Sequence, residues 1–237
     1  MKYEKIIKAK FIERPNRFIA VVEVDGEQQK SHVKNTGRCK ELLVPGATVY
    51  LEDFEGRMGS RKMRYSLIGV EKVVDDKILM INMDSQAPNK VVKEALLNGK
   101  IKLPGMASLD IVKSEYVYGD SRLDFYVKDI DGVEGFIEVK GVTLEDRGIA
   151  SFPDAPTERG IKHLKELAKA RGEGKLVFAV FVIQMKEVHT FIPNDITHKA
   201  FGDALREAQA AGVYVLAYDC IVETDTLSID QPIKVEL

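Results

Sequence analysis

Two patterns of hydrophobic positions follow one another along the chain. In the first part, short apolar stretches alternate with polar residues, and FIAVVEVDGEQQKSHV places two such stretches around Asp25-Gly26. Asp-Gly accepts the positive φ angles of a tight turn, so this segment predicts a β-hairpin. Further strands are predicted in ATVYLEDF, RYSLIGVEKV and KILMIN, and one helical turn in GRCKELLVPG. About five strands in so short a stretch favour a small closed barrel.

After Pro88 the apolar residues recur at helical spacing, which predicts a helix over 89–97 that ends at Asn98-Gly99. LDIVKSEYVYG is a predicted strand, and two more strands flank a loop over 129–135. Helices are predicted at 157–171 and 196–210, each followed by a strand, KLVFAVFVIQ and VYVLAY. The first of these strands is apolar almost throughout, which is typical of a central strand covered on both faces.

The order of elements after the barrel favours an α/β domain, because strands that alternate with helices build a mixed sheet with helices packed on it. We therefore predict two domains, a β-barrel over 1–84 and a mixed α/β domain over 85–237.

Composition places the chain among folded proteins. Apolar residues make up 45% and charged residues 30%, without a run of like charge, which argues against disorder. Cys39 and Cys220 form no C-x-x-C pair and are interpreted as reduced structural thiols. No secretory signal and no membrane helix is predicted, so we expect a cytoplasmic protein without a membrane partner. Residues 1–86 carry 16 Lys+Arg against 13 Asp+Glu, a mild basic excess that permits a polyanionic partner.

Three residues of the second domain suggest chemistry. In SRLDFYVKDIDGVEGFIEVKG, strand alternation places Asp124 on one strand opposite Glu138 and Lys140 on the next. Two carboxylates beside one amine suit Mg²⁺ or Mn²⁺, which binds hard oxygen ligands and also engages phosphates. The amine could position or deprotonate a water, or neutralise charge in a transition state, which predicts metal-assisted phosphodiester hydrolysis. The alternative is a solvated Glu-Lys face, which is common on exposed strands.

Two further groups of residues are candidates for contacts with DNA. In the barrel, Arg14, Arg17, Asn35 and Arg38 are expected near strand ends, where they could bind phosphates. The alternative is that Asn35-Thr36-Gly37 is a plain turn with solvated arginines around it. On the predicted helix over 157–171, Arg159, Lys162 and His163 could face a DNA backbone, whereas the alternative for His163 is an ordinary surface histidine.

Several longer motifs resemble the sugar fermentation stimulation protein family. They are SEYVYGDSRLDF, FIEVKGVTL, FPDAPTERGIKHLKEL and GVYVLAYD in the second domain, and RPNRF, HVKNTGR and ELLVPG in the first. The resemblance covers nearly the whole chain. It implies an N-terminal OB-fold-like barrel joined to a restriction-endonuclease-like α/β domain of the PD-(D/E)xK type, with DNA binding as the usual activity.

The resemblance also implies site residues. Asp124, Glu138 and Lys140 would be the metal and catalytic positions, and Glu115 and Asp154 would be further contacts to metal or water. Leu123 stands where the general nuclease motif has proline, although the S-R-x-D-F form of the family accepts it.

The expected function is that of a DNA-binding protein with an Mg²⁺- or Mn²⁺-dependent nuclease site. One alternative is a non-catalytic transcriptional regulator of sugar metabolism genes that keeps a nuclease-like fold. Another is a domain for a different phosphorylated ligand, such as a nucleotide. The expected partners are DNA, either single- or double-stranded, and a second copy of the chain in a homodimer as an alternative to a monomer.

Overall fold

Six strands form a barrel in the first part of the computed structural model, which describes residues 1–35, 37–74, 77–119 and 121–237. The strands are β1 (Ile6–Asn16), β2 (Ile19–Val24), β3 (Glu27–Val33), β4 (Thr48–Asp53), β5 (Tyr65–Val74) and β6 (Lys77–Asn82). Their order is β3-β2-β1-β4-β5-β6, and β3 also pairs in parallel with β5, which closes the sheet.

The predicted hairpin is confirmed. β2 and β3 pair antiparallel around Asp25 and Gly26, whose φ angles are 51° and 82°. The helical turn is also present, since the Leu43 N–H donates to the Cys39 carbonyl at 2.9 Å. β1 was missed by the sequence analysis, although Ala9 and Phe11 alternate with exposed lysines and are buried in the barrel.

The described residues of the second part form three helices, each within two residues of its predicted start: α1 (Ala87–Leu97), α2 (Glu158–Gly172) and α3 (Asp195–Ala210). Its main sheet has the order β15-β14-β12-β9-β8-β7. Those strands are β7 (Leu109–Tyr118), β8 (Ser121–Asp129), β9 (Glu134–Val142), β12 (Leu176–Ile183), β14 (Tyr214–Val222) and β15 (Leu227–Pro232). A smaller sheet joins β10 (Leu144–Asp146), β11 (Ile149–Phe152), β13 (Thr190–Pro193) and β16 (Lys234–Val235).

The main sheet is covered on both faces, as the composition of β12 predicted. Phe178 and Val180 pack in the core that α1 covers, whereas Ala179 and Phe181 pack on the side of α2 and α3. That second core is continuous with the interior of the barrel. The confirmed fold class is therefore mixed α/β, with a barrel packed against a two-faced sheet.

A buried polar network fixes the segment between the barrel and α1. Gln184 at the end of β12 donates to the Asn82 side chain at 2.9 Å and to the Asp84 carbonyl at 3.2 Å. Lys34, just after β3, pairs with Asp84 at 2.7 Å, and its carbonyl accepts from the Ser85 hydroxyl. Since Asp84 is fully buried, this network sets where α1 begins. The domain boundary at 84/85 itself stays a prediction.

Candidate functional site

Asp124 and Glu138 lie where two neighbouring strands separate. β8 and β9 pair antiparallel up to Phe125 opposite Ile137, and Asp124 and Glu138 are the next residues in that register. Beyond this point the Val139 N–H donates to the Asp124 carboxylate, at 2.8 Å, rather than to a carbonyl of β8. The end of strand pairing therefore brings both carboxylates to one place.

The two carboxylates line a cleft of about 360 Å³. Lys140 lines it as well and forms an ion pair with Glu138. The start of α2 also contributes to the lining, as do Ser85 and Asn89. The structure therefore brings together the three residues that the sequence nominated for metal binding and catalysis.

Asp124 is an acid in a place that disfavours its charge. Burial, and next the negative charge of Glu138, raise its pKa above the ordinary value. Two hydrogen bonds limit the rise, one from Val139 N–H and one from the Asn89 amide, each 2.8 Å long. An arriving cation would relieve the repulsion between the two carboxylates.

Glu138 is more deeply buried than Asp124, but neighbouring groups stabilise its negative charge better. Burial alone would raise its pKa, yet the hydrogen bond from His163 and the charge of Lys140 outweigh burial, so the pKa of Glu138 is lowered. Both partners contact the same oxygen, Oε1. Oε2 is buried and has no hydrogen-bond partner among the described residues.

We expect Asp124→Asn to stabilise the metal-free protein at neutral pH. Because the pKa of Asp124 is higher in the folded protein, the folded state favours the protonated carboxyl. This carboxyl therefore favours folding below its ordinary pKa of about 3.9, and the contribution is lost as pH rises through the higher folded pKa. At neutral pH the charged carboxylate costs stability. Asn removes the buried charge and can still accept from Val139, so we expect a gain of about 1 kcal/mol, which is about 2–4 °C in melting temperature for a chain of this size. Thermal melts with EDTA at pH 4 to 8 would measure it.

Asp129→Asn is the matched control for that experiment. Its carboxylate accepts three backbone N–H groups, that of Ala107 chief among them, which lower its pKa. Its contribution to folding is present above the ordinary pKa and lost in acid, so the change should lower the melting temperature at neutral pH. Equal destabilisation by both changes would contradict our account of Asp124.

A second cleft, of about 520 Å³, adjoins the first. Ser85 and Thr157 line both clefts, so the two clefts are direct neighbours, and together they are called the groove below. Arg17, Asn35 and Arg38 of the barrel line the second cleft. Three of the four DNA-contacting residues predicted in the barrel thus lie along the same groove as the carboxylates.

Arg14 has a different environment from its predicted one. Its guanidinium donates to the carbonyls of Arg17, Asn35, Gly37 and Arg38, at 2.7 to 2.8 Å. These bonds occupy both terminal nitrogens, which were expected to bind phosphate. Arg14 therefore ties the β1–β2 turn, which carries Arg17, to the segment after β3, which carries Arg38. Thr36, in the same loop, lies outside the described residues.

Several other predicted positions are not brought to the carboxylate pair. Glu115 is exposed on β7 and pairs with Arg122 at 3.7 Å, outside the described lining of either cleft. Asp154 lines the second cleft rather than the first, and burial is the chief cause of its raised pKa. Lys162 is exposed on α2, outside the described lining of both clefts.

The alternative that His163 is an ordinary surface histidine is wrong. His163 is only 5% exposed, and its Nδ1 contacts Glu138. Arg159 lines the cleft and donates to the other ring nitrogen of His163 at 3.3 Å, whereas its contact with DNA stays a prediction. Its neighbours therefore make His163 part of the carboxylate site itself.

Asn89 is a site residue that the sequence analysis missed. It belongs to the first turn of α1 and donates to Asp124 at 2.8 Å across a separation of 35 residues. The helical pattern that predicted α1 identifies its buried face but says nothing of which strand its polar side chains reach. No signal in the sequence marked this contact.

The donor set fits a hard divalent cation. Carboxylate oxygens are the ligands that such ions prefer, and Glu138 Oε2 is a buried oxygen to which no described residue donates a hydrogen bond. No group of three or more His, Cys, Asp or Glu side chains in the described parts of the chain forms a ready-made metal cage. An ion held by two carboxylates would complete its coordination with water and substrate, as Mg²⁺ usually does.

Comparison with known proteins identifies the family. The model described as "Sugar fermentation stimulation protein RE domain" matches residues 86–226, and "SfsA N-terminal OB domain" matches residues 12–81. The chain belongs to the sugar fermentation stimulation protein family. The resemblance noted in its motifs is thereby confirmed, as is the OB-fold class of the barrel.

Relatives within the sugar fermentation stimulation protein family match over the full chain. The homolog from Clostridium beijerinckii is 52% identical over 237 residues, with 100% of both chains covered. The homolog from Desulfitobacterium hafniense is 50% identical, with 100% of this chain and 99% of that one covered. The solved structure of Pyrococcus furiosus SfsA in complex with Ca²⁺ is 29% identical, with a TM-score of 0.87, and the match covers 100% of this chain and 98% of that one.

None of the described helices is long and apolar enough to cross a membrane.

Proposed function

We propose that this protein is a divalent-metal-dependent nuclease that acts on DNA, with Asp124, Glu138 and Lys140 as its catalytic residues. The observation that carries the proposal is the convergence of two buried carboxylates and an amine in one cleft, where Glu138 Oε2 has no hydrogen-bond partner among the residues that the structure describes. A purely DNA-binding protein has no chemical need for buried carboxylates, which repel phosphate.

Asp124 and Glu138 would hold the cation. The Ca²⁺ complex of the Pyrococcus furiosus relative supports a divalent cation in this family, and we propose Mg²⁺ or Mn²⁺ as the working ion. When bound, the ion supplies Lewis-acid activation and neutralises phosphate charge. Lys140, as the cation of its ion pair with Glu138, would stabilise the negative charge that develops on the scissile phosphate.

The groove supports DNA as the substrate class. It runs from the carboxylates past Ser85 and Thr157 to Arg17 and Arg38, which are exposed and cationic. Phosphates that follow the groove would meet arginine at one end and the metal site at the other. This arrangement combines backbone contacts, which position a nucleic acid, with one point of chemistry.

The test is incubation of the purified protein with labelled single- and double-stranded DNA, with Mg²⁺, Mn²⁺ or EDTA. We expect cleavage that needs the metal and that falls at least about 100-fold in Glu138→Gln, because one ligand of the ion is weakened. Glu134→Gln is the matched control, since Glu134 belongs to the same strand but pairs with Lys175 outside the described lining of the cleft.

Each other outcome has a definite meaning. Binding without cleavage under any metal would overturn the nuclease and favour the regulator. Absence of binding to either form of DNA at low salt would overturn both and favour a smaller phosphorylated ligand.

A further inference from the structure

The two oxygens of Glu138 have different surroundings. Oε1 contacts both His163 and Lys140, whereas Oε2 has no partner among the described residues. A carboxylate held by one oxygen cannot rotate freely about its last side-chain bond. The contacts to Oε1 therefore determine where Oε2 points.

The contact with Arg159 fixes the tautomer of His163. A guanidinium Nε–H can only donate, so Nε2 of the ring, 3.3 Å away, must accept. The ring proton then resides on Nδ1, which faces Glu138. The two residues are four positions apart on α2, so one turn of helix aligns them.

Burial makes this arrangement specific. His163 is 5% exposed and Glu138 is 3% exposed, so water has little access to replace either hydrogen bond. Arg159, by contrast, is an exposed residue and lines the cleft. Arg159 and His163 thus connect an exposed residue of the cleft lining to the buried carboxylate of Glu138.

We propose that Arg159 and His163 act as a positioning pair for the metal site: Arg159 holds His163 as the Nδ1–H tautomer, and His163 holds Glu138 so that Oε2 is directed to the cation. The proposal rests on the proposed function, because it assigns a role to the contacts of a carboxylate that would bind metal. His163 is a positioning residue here, not a catalytic one, and neither a DNA contact nor a surface histidine.

Calorimetric titration of the metal-free protein with Ca²⁺, without DNA, tests this directly. His163→Leu removes the donor, and we expect the dissociation constant to rise by about 10–100-fold, as is typical when a hydrogen bond that orients a metal ligand is lost. His163→Asn keeps an N–H at the position of Nδ1, so its affinity should stay within a few-fold of the parent. Arg159→Lys keeps the positive charge but loses the Nε donor, and we expect a smaller, clearly measurable loss.

The outcomes separate this proposal from the proposed function. Parent protein that takes up no Ca²⁺, Mg²⁺ or Mn²⁺ would overturn both. If the parent binds Ca²⁺ and His163→Leu binds it equally well, or if His163→Asn loses as much affinity as His163→Leu, only the positioning role is overturned. Should His163→Leu fail to fold, the Asn and Lys variants decide, since a parent-like affinity in Arg159→Lys would by itself exclude the relay through Arg159.

Discussion

We expect the substitution Lys140→Met to lower the rate of DNA cleavage by about 100- to 1,000-fold. This is the range found when one preorganised group that stabilises a transition state is removed. Lys140 contacts Glu138 inside the cleft and has a side chain only 19% exposed, so its charge acts where screening by water is weak. Methionine keeps most of the aliphatic volume and removes the charge. The measurement is the single-turnover rate of cleavage at saturating Mg²⁺.

Two comparisons make the Lys140 result specific. Lys165→Met removes an exposed lysine of α2 outside the described lining of the cleft, and its cleavage rate should match the parent. DNA affinity of Lys140→Met, measured with Ca²⁺ in place of Mg²⁺, should change far less than the rate. A cleavage rate close to that of the parent would remove Lys140 from the catalytic residues.

Arg17→Gln combined with Arg38→Gln lowers DNA affinity at low salt by about tenfold or more, with little change in the rate of cleavage at saturating DNA. Both arginines line the second cleft, and each phosphate contact that is lost removes one counterion-release contribution. The slope of log affinity against log salt should therefore become shallower by about 1.4 to 1.8 for the pair. Fluorescence anisotropy over a series of KCl concentrations would measure both quantities.

Arg147→Gln is the control for the two arginines. Arg147 is exposed in the turn between β10 and β11, outside the described lining of the groove, so its loss should leave the salt slope unchanged. An identical slope in the Arg17/Arg38 double variant and the parent would show that DNA does not follow the second cleft.

Much of the fold follows from local patterns. The β2–β3 hairpin depends on two adjacent residues with positive φ, and the three helices follow from apolar spacing within a single element. The sequence analysis missed β1 and several shorter strands, such as β13 and β16. These strands contain lysine or proline or are very short, so the alternation of their apolar and polar residues is weak. Their pairing partners supply the stability that their own composition does not.

The residues of the site likewise differ in how well the sequence predicts their surroundings. Asp124, Glu138 and Lys140 were found because they lie on adjacent strands joined by a short loop, so strand alternation and the hairpin place them together. The sequence marked Arg14 as a phosphate contact, yet four backbone carbonyls surround it, one from the β1–β2 turn and three from the segment after β3. A basic residue near a strand end has the same appearance in sequence whether it faces solvent or its own backbone.

The sequence by itself determined the three helices, most strands of the main sheet, the family, and the placement of Asp124 and Glu138 on adjacent strands. Each of these depends on residues that are close along the chain or on motifs that can be compared directly. Only the tertiary structure decided which side chains surround the carboxylates. Asn89 meets Asp124 across 35 residues and His163 meets Glu138 across 25, and both contacts depend on how α1 and α2 pack on opposite faces of one sheet. Packing of that kind is set by the whole core, so no local pattern records it.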